Sequence, residues 1–217
     1  QLAEGASQLT GGTGELRSSV SGIDMGAQLD GLLNSLSGGG EVQSGRDFLR
    51  RDCFLPMACA YLYDRAMLER HGLGMLPIRH EDEEFTPRAI YFAKRIQYVS
   101  IRVYNYLQHN GSFMGSYDPK RRSDFVRAMK SLTDFAARIE EGDPEGARLM
   151  RLHVGKTMFF ACKQTILGRQ GNARGMLRDA RQRGVMPLAF RKYNFRHFLI
   201  NRAPALFVLY YRLHKRR

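Results

Sequence analysis

From residue 118 onward, apolar side chains recur every three or four positions, the spacing of a helix that buries one face. Phe125, Met129, Leu132, Phe135, Ala136 and Ile139 predict a helix over 122–139, stopped by Gly142, Asp143 and Pro144. Leu149, Leu152, Met158, Phe159, Cys162 and Ile166 predict a second over 145–168, and a short, basic one follows at 173–183. An aromatic and basic segment over 201–217 closes the chain. Upstream, residues 47–51 predict a short helix, and residues 63–71 one that ends at Gly72, a natural C-cap. Phe85, Ala89, Phe92, Ala93 and Ile96 fall on one face of another. Two stretches carry a different pattern. Residues 54–63 read as an apolar passage through the core, and Val99, Ile101 and Val103 alternate with polar neighbours over 98–106, so both predict short strands.

The first 45 residues have neither pattern in strength, with eleven Gly, seven Ser and no aromatic residue. They predict either a disordered leader or a thin heptad helix along Leu2, Leu9, Leu16 and Ile23, against which each interior Gly weighs about 1 kcal/mol. Met25, Leu29, Leu32, Leu33 and Leu36 make a better short amphipathic helix, ended by Gly38, Gly39 and Gly40. The chain thus divides into a Gly/Ser-rich leader (1–45), a mixed region (46–117) and a basic helical region (118–217).

Composition narrows the class. With 217 residues and 43% apolar content, the sequence suits an ordinary globular domain and excludes collagen-like, fully disordered and disulfide-stapled chains. No apolar run approaches the roughly 18 residues needed to span a bilayer, and no basic stretch followed by an apolar core opens the chain. The expectation is an intracellular, non-spanning protein. Cys53, Cys59 and Cys162 are odd in number and lie among apolar neighbours, which predicts reduced core thiols rather than bridges or zinc ligands. Charge is unevenly placed: residues 1–45 hold one cation and five anions, whereas 151–217 hold sixteen Lys and Arg with Asp179 as the sole anion. That last third is built to face something anionic.

Glu81, Asp82, Glu83 and Glu84 form a run of four carboxylates that repel one another. Two explanations are open. Asp82 or Thr86 caps a helix whose acidic first turn complements its dipole. Alternatively, one carboxylate at the mouth of a cleft serves as a general base, with its neighbours positioning it or raising its proton affinity.

Three blocks tip the balance: 61–68 (YLYDRAML), 80–89 (HEDEEFTPRA) and 104–114 (YNYLQHNGSFM). In this order and with these gaps they resemble the second half of a bacterial family 2 glycosyltransferase, over about residues 41–217. The resemblance implies an α/β, GT-A-like fragment, predominantly α-helical in this chain with a few short strands. It further implies inverting transfer from a nucleotide-sugar donor to a cell-envelope glycan or lipid-linked acceptor. The Glu-Asp motif falls on Glu81 and Asp82. Asp82 would take the proton from the acceptor hydroxyl as it attacks the anomeric carbon, with Glu81 and His80 orienting base or acceptor. Gln108, His109 and Ser112 occupy the loop that approaches diphosphate or acceptor, where relatives often carry Arg. The family also implies a divalent metal, Mg or Mn, whose ligands lie in a nucleotide-binding half without counterpart here. The chain alone is therefore expected not to turn over a nucleotide sugar.

In the tail, Phe190, Tyr193, Phe195, Phe198, Leu199, Phe207, Tyr210 and Tyr211 interleave with Arg191, Lys192, Arg196, Arg202, Arg212 and Lys215. This predicts contact of residues 190–217 with an anionic membrane surface, and a cytoplasmic protein peripheral to the inner face of the cell membrane. The same aromatics would alternatively pack on the core with the cations solvated. The rival function is a basic helical module that binds nucleic acid or anionic membrane without catalysis. No helix-turn-helix, RNP or zinc spacing supports nucleic acid, so none is expected as partner. A non-catalytic fragment with the acidic run as a helix cap is a third possibility.

Overall fold

The structure, a computed structural model, describes residues 42–52, 54–98, 119–168 and 172–214, all of which fall in one unit. Among them the chain forms α1 (Gly45–Arg51), a 3-10 turn (Ala58–Ala60), α2 (Arg65–Arg70) and α3 (Glu81–Phe92). It continues through α4 (Pro119–Ile139), α5 (Pro144–Leu167), α6 (Ala173–Gln182), α7 (Phe195–Arg202) and α8 (Pro204–His214).

The two longest helices, α4 and α5, form an antiparallel hairpin, in which Met129, Leu132, Leu149 and Met158 were legible as periodic apolar positions and Val126 and Met150 join them. Val126, Met129 and Leu132 of α4 and Leu149, Met150 and Met158 of α5 are removed from solvent. Leu177 of α6, Ile200 of α7 and Phe207 and Val208 of α8 extend this core. Asp143 starts α5 by accepting from Gly146 N–H (2.9 Å), and its other oxygen accepts from Arg46 (2.6 Å) and the Tyr91 hydroxyl (3.0 Å). One N-cap thereby ties α1 and α3 to the head of α5.

Helix α3 is held at its far end by backbone. Gln43 and Ile96 exchange two main-chain hydrogen bonds (2.8 and 2.7 Å), and Gly45 N–H donates to Ala93 O (2.8 Å). A Cβ on Gly45 would lie 1.8 Å from the Ile90 carbonyl oxygen, so this approach of α1 to α3 requires glycine.

Three expectations are corrected. The α/β, GT-A-like class is overturned: the described residues are helical, and their β-type pairing is one isolated antiparallel bridge, Gln43 with Ile96. The strand over 54–63 is absent; the 3-10 turn bends it, the Tyr61 hydroxyl closes the bend on Leu55 O (2.8 Å), and Leu62 is 86% exposed. A strand needs a neighbouring edge to satisfy its amides, and among the described residues none is paired with this stretch. Within the strand expected over 98–106, residue 98 is irregular and 99–106 lie outside the described residues, as do positions 1–41 of the leader. The third concerns the thiols. Cys162 is buried, its Sγ 3.6 Å from Met176 Sδ and its thiol pushed up to about 12 by burial, but Cys59 is exposed rather than in the core. Cys53 lies outside the described residues. No helix among the described residues is long and apolar enough to cross a membrane.

Candidate functional site at the start of helix α3

The chain enters α3 pinned to α4. Arg79 N–H donates to Asp124 Oδ2 (3.2 Å), and Arg127 donates to Asp124 Oδ1 (3.0 Å). These bonds hold the buried Asp124 carboxyl below its ordinary range despite burial, which acts the other way. His80 follows in the left-handed region (φ 69°), with its ring edge-on to Phe125 at 5.2 Å. Its Nε2 accepts from Arg121 Nε–H (3.4 Å). Burial first, and Arg121 second, push the imidazole down to about 4, so His80 is neutral at physiological pH. It acts as a fixed entry to the helix rather than a cation.

Helix α3 begins one residue later, at Glu81, so neither Asp82 nor Thr86 caps it; His80 is the capping residue and supplies no side-chain bond. Asp82 is the second helical residue. Thr86 is the sixth, wholly buried, with an unpartnered hydroxyl. Pro87 lies inside the helix, and lacking an N–H it leaves the Glu83 carbonyl without its usual i+4 donor.

The four carboxylates differ in fate, which relieves the repulsion expected of the run. Glu84 is buried, its Oε2 paired with Arg88 (2.6 Å) and its Oε1 accepting from the Ser131 hydroxyl of α4 (2.7 Å). Arg88 also donates to Gly74 O (2.9 Å), so the pair clamps α3 to α4 and to the preceding loop. Glu83 is mostly buried, with Oε2 unpartnered, and burial together with the neighbouring Asp82 pushes it up to about 8. At neutral pH it is largely protonated. Glu81 and Asp82 remain half-buried.

Asp82 Oδ1 accepts from Glu83 N–H (2.9 Å). Burial raises its proton affinity above that of an ordinary carboxylate; the main-chain amides act against this and Glu81 adds to it. A carboxylate that keeps solvent contact yet holds protons more strongly than usual has the chemistry of a general base.

Sequence reasoning did not single out Tyr63 as a member of this site. Its hydroxyl is buried and unpartnered, and its ring packs edge-on against Phe85 (5.3 Å). Burial raises its pKa; Thr86 lowers it, and the charges of Asp82 and Cys59 raise it again, which places the phenol beside this turn. Tyr63 and Thr86 therefore face each other beside the buried, unpartnered Oε2 of Glu83 at one helix start. The usable signal was the tyrosine inside the first sequence block, just before Asp64, whose Oδ1 caps α2 by accepting from Ala66 N–H (2.9 Å).

No family model, no curated protein and no solved structure matches the chain. The site therefore stands on its geometry. That geometry brings His80, Glu81 and Asp82 together at one helix start; Gln108, His109 and Ser112 lie outside the described residues. The divalent metal implied by the resemblance finds no fitting ligands here. No group of three or more His, Cys, Asp or Glu among the described residues is placed to hold an ion, and Glu84 is paired with Arg88.

Proposed function

We propose that this chain supplies the acceptor side of an inverting sugar transfer, with Asp82 as general base. The observation that supports this reading is the state of the Asp82 carboxylate: half-buried, anchored through Oδ1 by Glu83 N–H (2.9 Å), and raised in proton affinity by burial. In the step assigned to it, Asp82 takes the proton of an acceptor hydroxyl. The freed oxygen pair forms the bond to the anomeric carbon of a nucleotide sugar. The bond from that carbon to the nucleoside diphosphate breaks, and its electron pair leaves with the diphosphate. Glu81 keeps Asp82 basic through its charge. Neutral His80, fixed by Arg121 and Phe125, sets where the helix begins. The acceptor class is a cell-envelope glycan or lipid-linked sugar, and the protein works peripherally at the inner face of the membrane. Nucleotide and metal binding are assigned to none of the described residues.

The test is made in the cell that carries the gene, in the full natural polypeptide. Replacing Asp82→Asn is expected to lower one envelope glycan by at least about a hundredfold, the smaller end of what a general base contributes. Glu69→Gln, an exposed acid paired with Arg65 on α2, is expected to leave that glycan unchanged. Glycan profiles by mass spectrometry that stay identical in Asp82→Asn, with the variant accumulating to the wild-type level, would overturn the reading.

A further inference from the structure

The tail aromatics divide between the two roles the sequence left open. Phe207 and Tyr211 of α8 and Leu199 of α7 are core, and Phe190 stacks on His197 at 3.8 Å. A second set points outward. Phe195 and Phe198 on α7, and Leu206, Leu209 and Leu213 on α8, are between 47% and 63% exposed.

Their spacing is helical on both elements: 195 and 198 are three apart, and 206, 209 and 213 are three and four apart, so each set forms a stripe along one face. The stripes meet where the Phe195 ring packs edge-on against Tyr210 (6.3 Å). The opposite faces already have their packing. Helix α7 buries Leu199, Ile200 and Asn201, with Asn201 Oδ1 accepting from Leu188 N–H (2.8 Å) and its Nδ2 donating to Leu188 O (2.9 Å); α8 buries Phe207, Val208 and Tyr211. A contiguous exposed apolar ridge on an otherwise packed surface marks a contact site.

Charge selects the occupant. Residues 180–217 contain ten Lys and Arg and no Asp or Glu. Lys192, Arg202 and Arg212 are exposed, Arg202 one helical turn from Phe198 and Arg212 beside Leu209 and Leu213. A second copy seated on this ridge would bring cation against cation with no local carboxylate to offset them. Single-stranded nucleic acid would use the two Phe rings for stacking but gains nothing from three Leu side chains. An anionic bilayer uses both parts: apolar side chains enter the headgroup boundary while the cations remain at lipid phosphates.

We propose that the α7–α8 end of the molecule docks on an anionic lipid bilayer, with Phe195, Phe198, Leu206, Leu209 and Leu213 inserted and Lys192, Arg202 and Arg212 at the headgroups. This stands whether or not Asp82 is a catalytic base, since it rests on other residues and is read by a different measurement.

The experiment is sedimentation of the whole chain with phosphatidylglycerol–phosphatidylcholine vesicles, and with phosphatidylcholine alone. Pelleting is expected with the anionic vesicles and not with the neutral ones. Lys192→Gln/Arg202→Gln/Arg212→Gln is expected to weaken it about a hundredfold, about fivefold for each charge. Leu206→Ser/Leu209→Ser/Leu213→Ser is expected to abolish it while circular dichroism and melting temperature stay at wild-type values. Failure to pellet with anionic vesicles, or equal pelleting with neutral ones, would overturn the proposal. So would tighter binding to a single-stranded oligonucleotide than to the vesicles, or a dimer that the Leu variant dissociates. A marked fall in melting temperature of the Leu variant would also count against it, because the ridge would then be packed on another part of the chain.

Discussion

Asp52, where α1 ends, and Glu83, in the first turn of α3, are both carboxylates taken largely out of water, and they finish in opposite charge states. Asp52 accepts from His153 Nδ1 (3.0 Å) and pairs through Oδ2 with Lys156 Nζ (2.9 Å). Burial raises its proton affinity, but these two cationic or donating partners outweigh burial and hold it below the ordinary carboxylate range. Glu83 has no such partner at Oε2, so burial and Asp82 push it up to about 8. Glu83 is the more deeply buried of the two, and what faces the carboxyl decides the direction: Asp52 has donors to outweigh burial, whereas Glu83 has the Asp82 charge to add to it. At the α1–α5 junction the acid is structural. At the α3 start burial raises the proton affinity of Asp82 and Glu83, while Glu84 is paired because Arg88 reaches it.

The comparison breaks most severely if Glu84 is made to resemble Glu83. Arg88→Met leaves the Glu84 carboxylate buried with only Ser131, and is expected to cost about 3–5 kcal/mol in urea unfolding. The double variant Glu84→Met/Arg88→Met removes both charges and is expected to recover most of that loss. A double variant as unstable as the single one would show that the side chains act through packing and not as a pair.

An effect smaller at each pH step follows from Glu83 itself. Its folded pKa, about 8, lies above the ordinary glutamate value, so the unfolded chain releases this proton first. Its contribution to stability is full below about pH 4.5 and falls as pH rises, by at most about 1.4 kcal/mol per unit, until the folded carboxyl ionises near pH 8; His80, neutral in the fold down to about pH 4, contributes in the opposite sense up to about pH 6.5. Glu83→Gln is expected to remove this contribution, so that urea titrations of variant and wild type change relative to each other across that window while His80 and Asp82 act alike in both. An unchanged slope would mean that Glu83 is already ionised in the folded protein, and the contrast with Asp52 would vanish.

How far the sequence reveals these arrangements depends on the range over which each is encoded. Helices α4, α5 and α6 are legible because their buried residues repeat at three and four positions, and Asp143-Pro144 marks the start of α5. The stretch 54–63 was misread because a short apolar run has no period to separate strand from turn; only Phe54 among its described residues is buried. The acidic run signals a helix start, and Glu84 and Arg88 stand at an i, i+4 spacing that sequence reasoning did not single out. The division of the run into paired and protonated members was not, because it depends on Ser131, which arrives from α4, 47 positions away. Tyr63 joins the site for the same reason. The Asp52–His153 contact spans 101 positions and leaves no local trace at all.

The smallest expected effect tests the Asp52 half of the contrast. The Asp52 carboxyl sits below its ordinary pKa, so its contribution is present above about pH 3.8 and is lost as pH falls through the lower folded value. Asp52→Asn keeps an oxygen to accept from His153 but removes the charge that faces His153 and Lys156. Because Lys156 is well exposed, solvent screens much of that attraction, and the expected loss at neutral pH is about 1 kcal/mol. The variant should then lose less stability than the wild type between pH 4 and pH 2, its remaining decline coming from carboxylates such as Asp124 that both proteins share, so the two urea midpoints converge in acid. Parallel curves would mean that the solvent-exposed lysine and the stacking of His153 on Phe54 (4.8 Å) hold this junction without the carboxylate's charge.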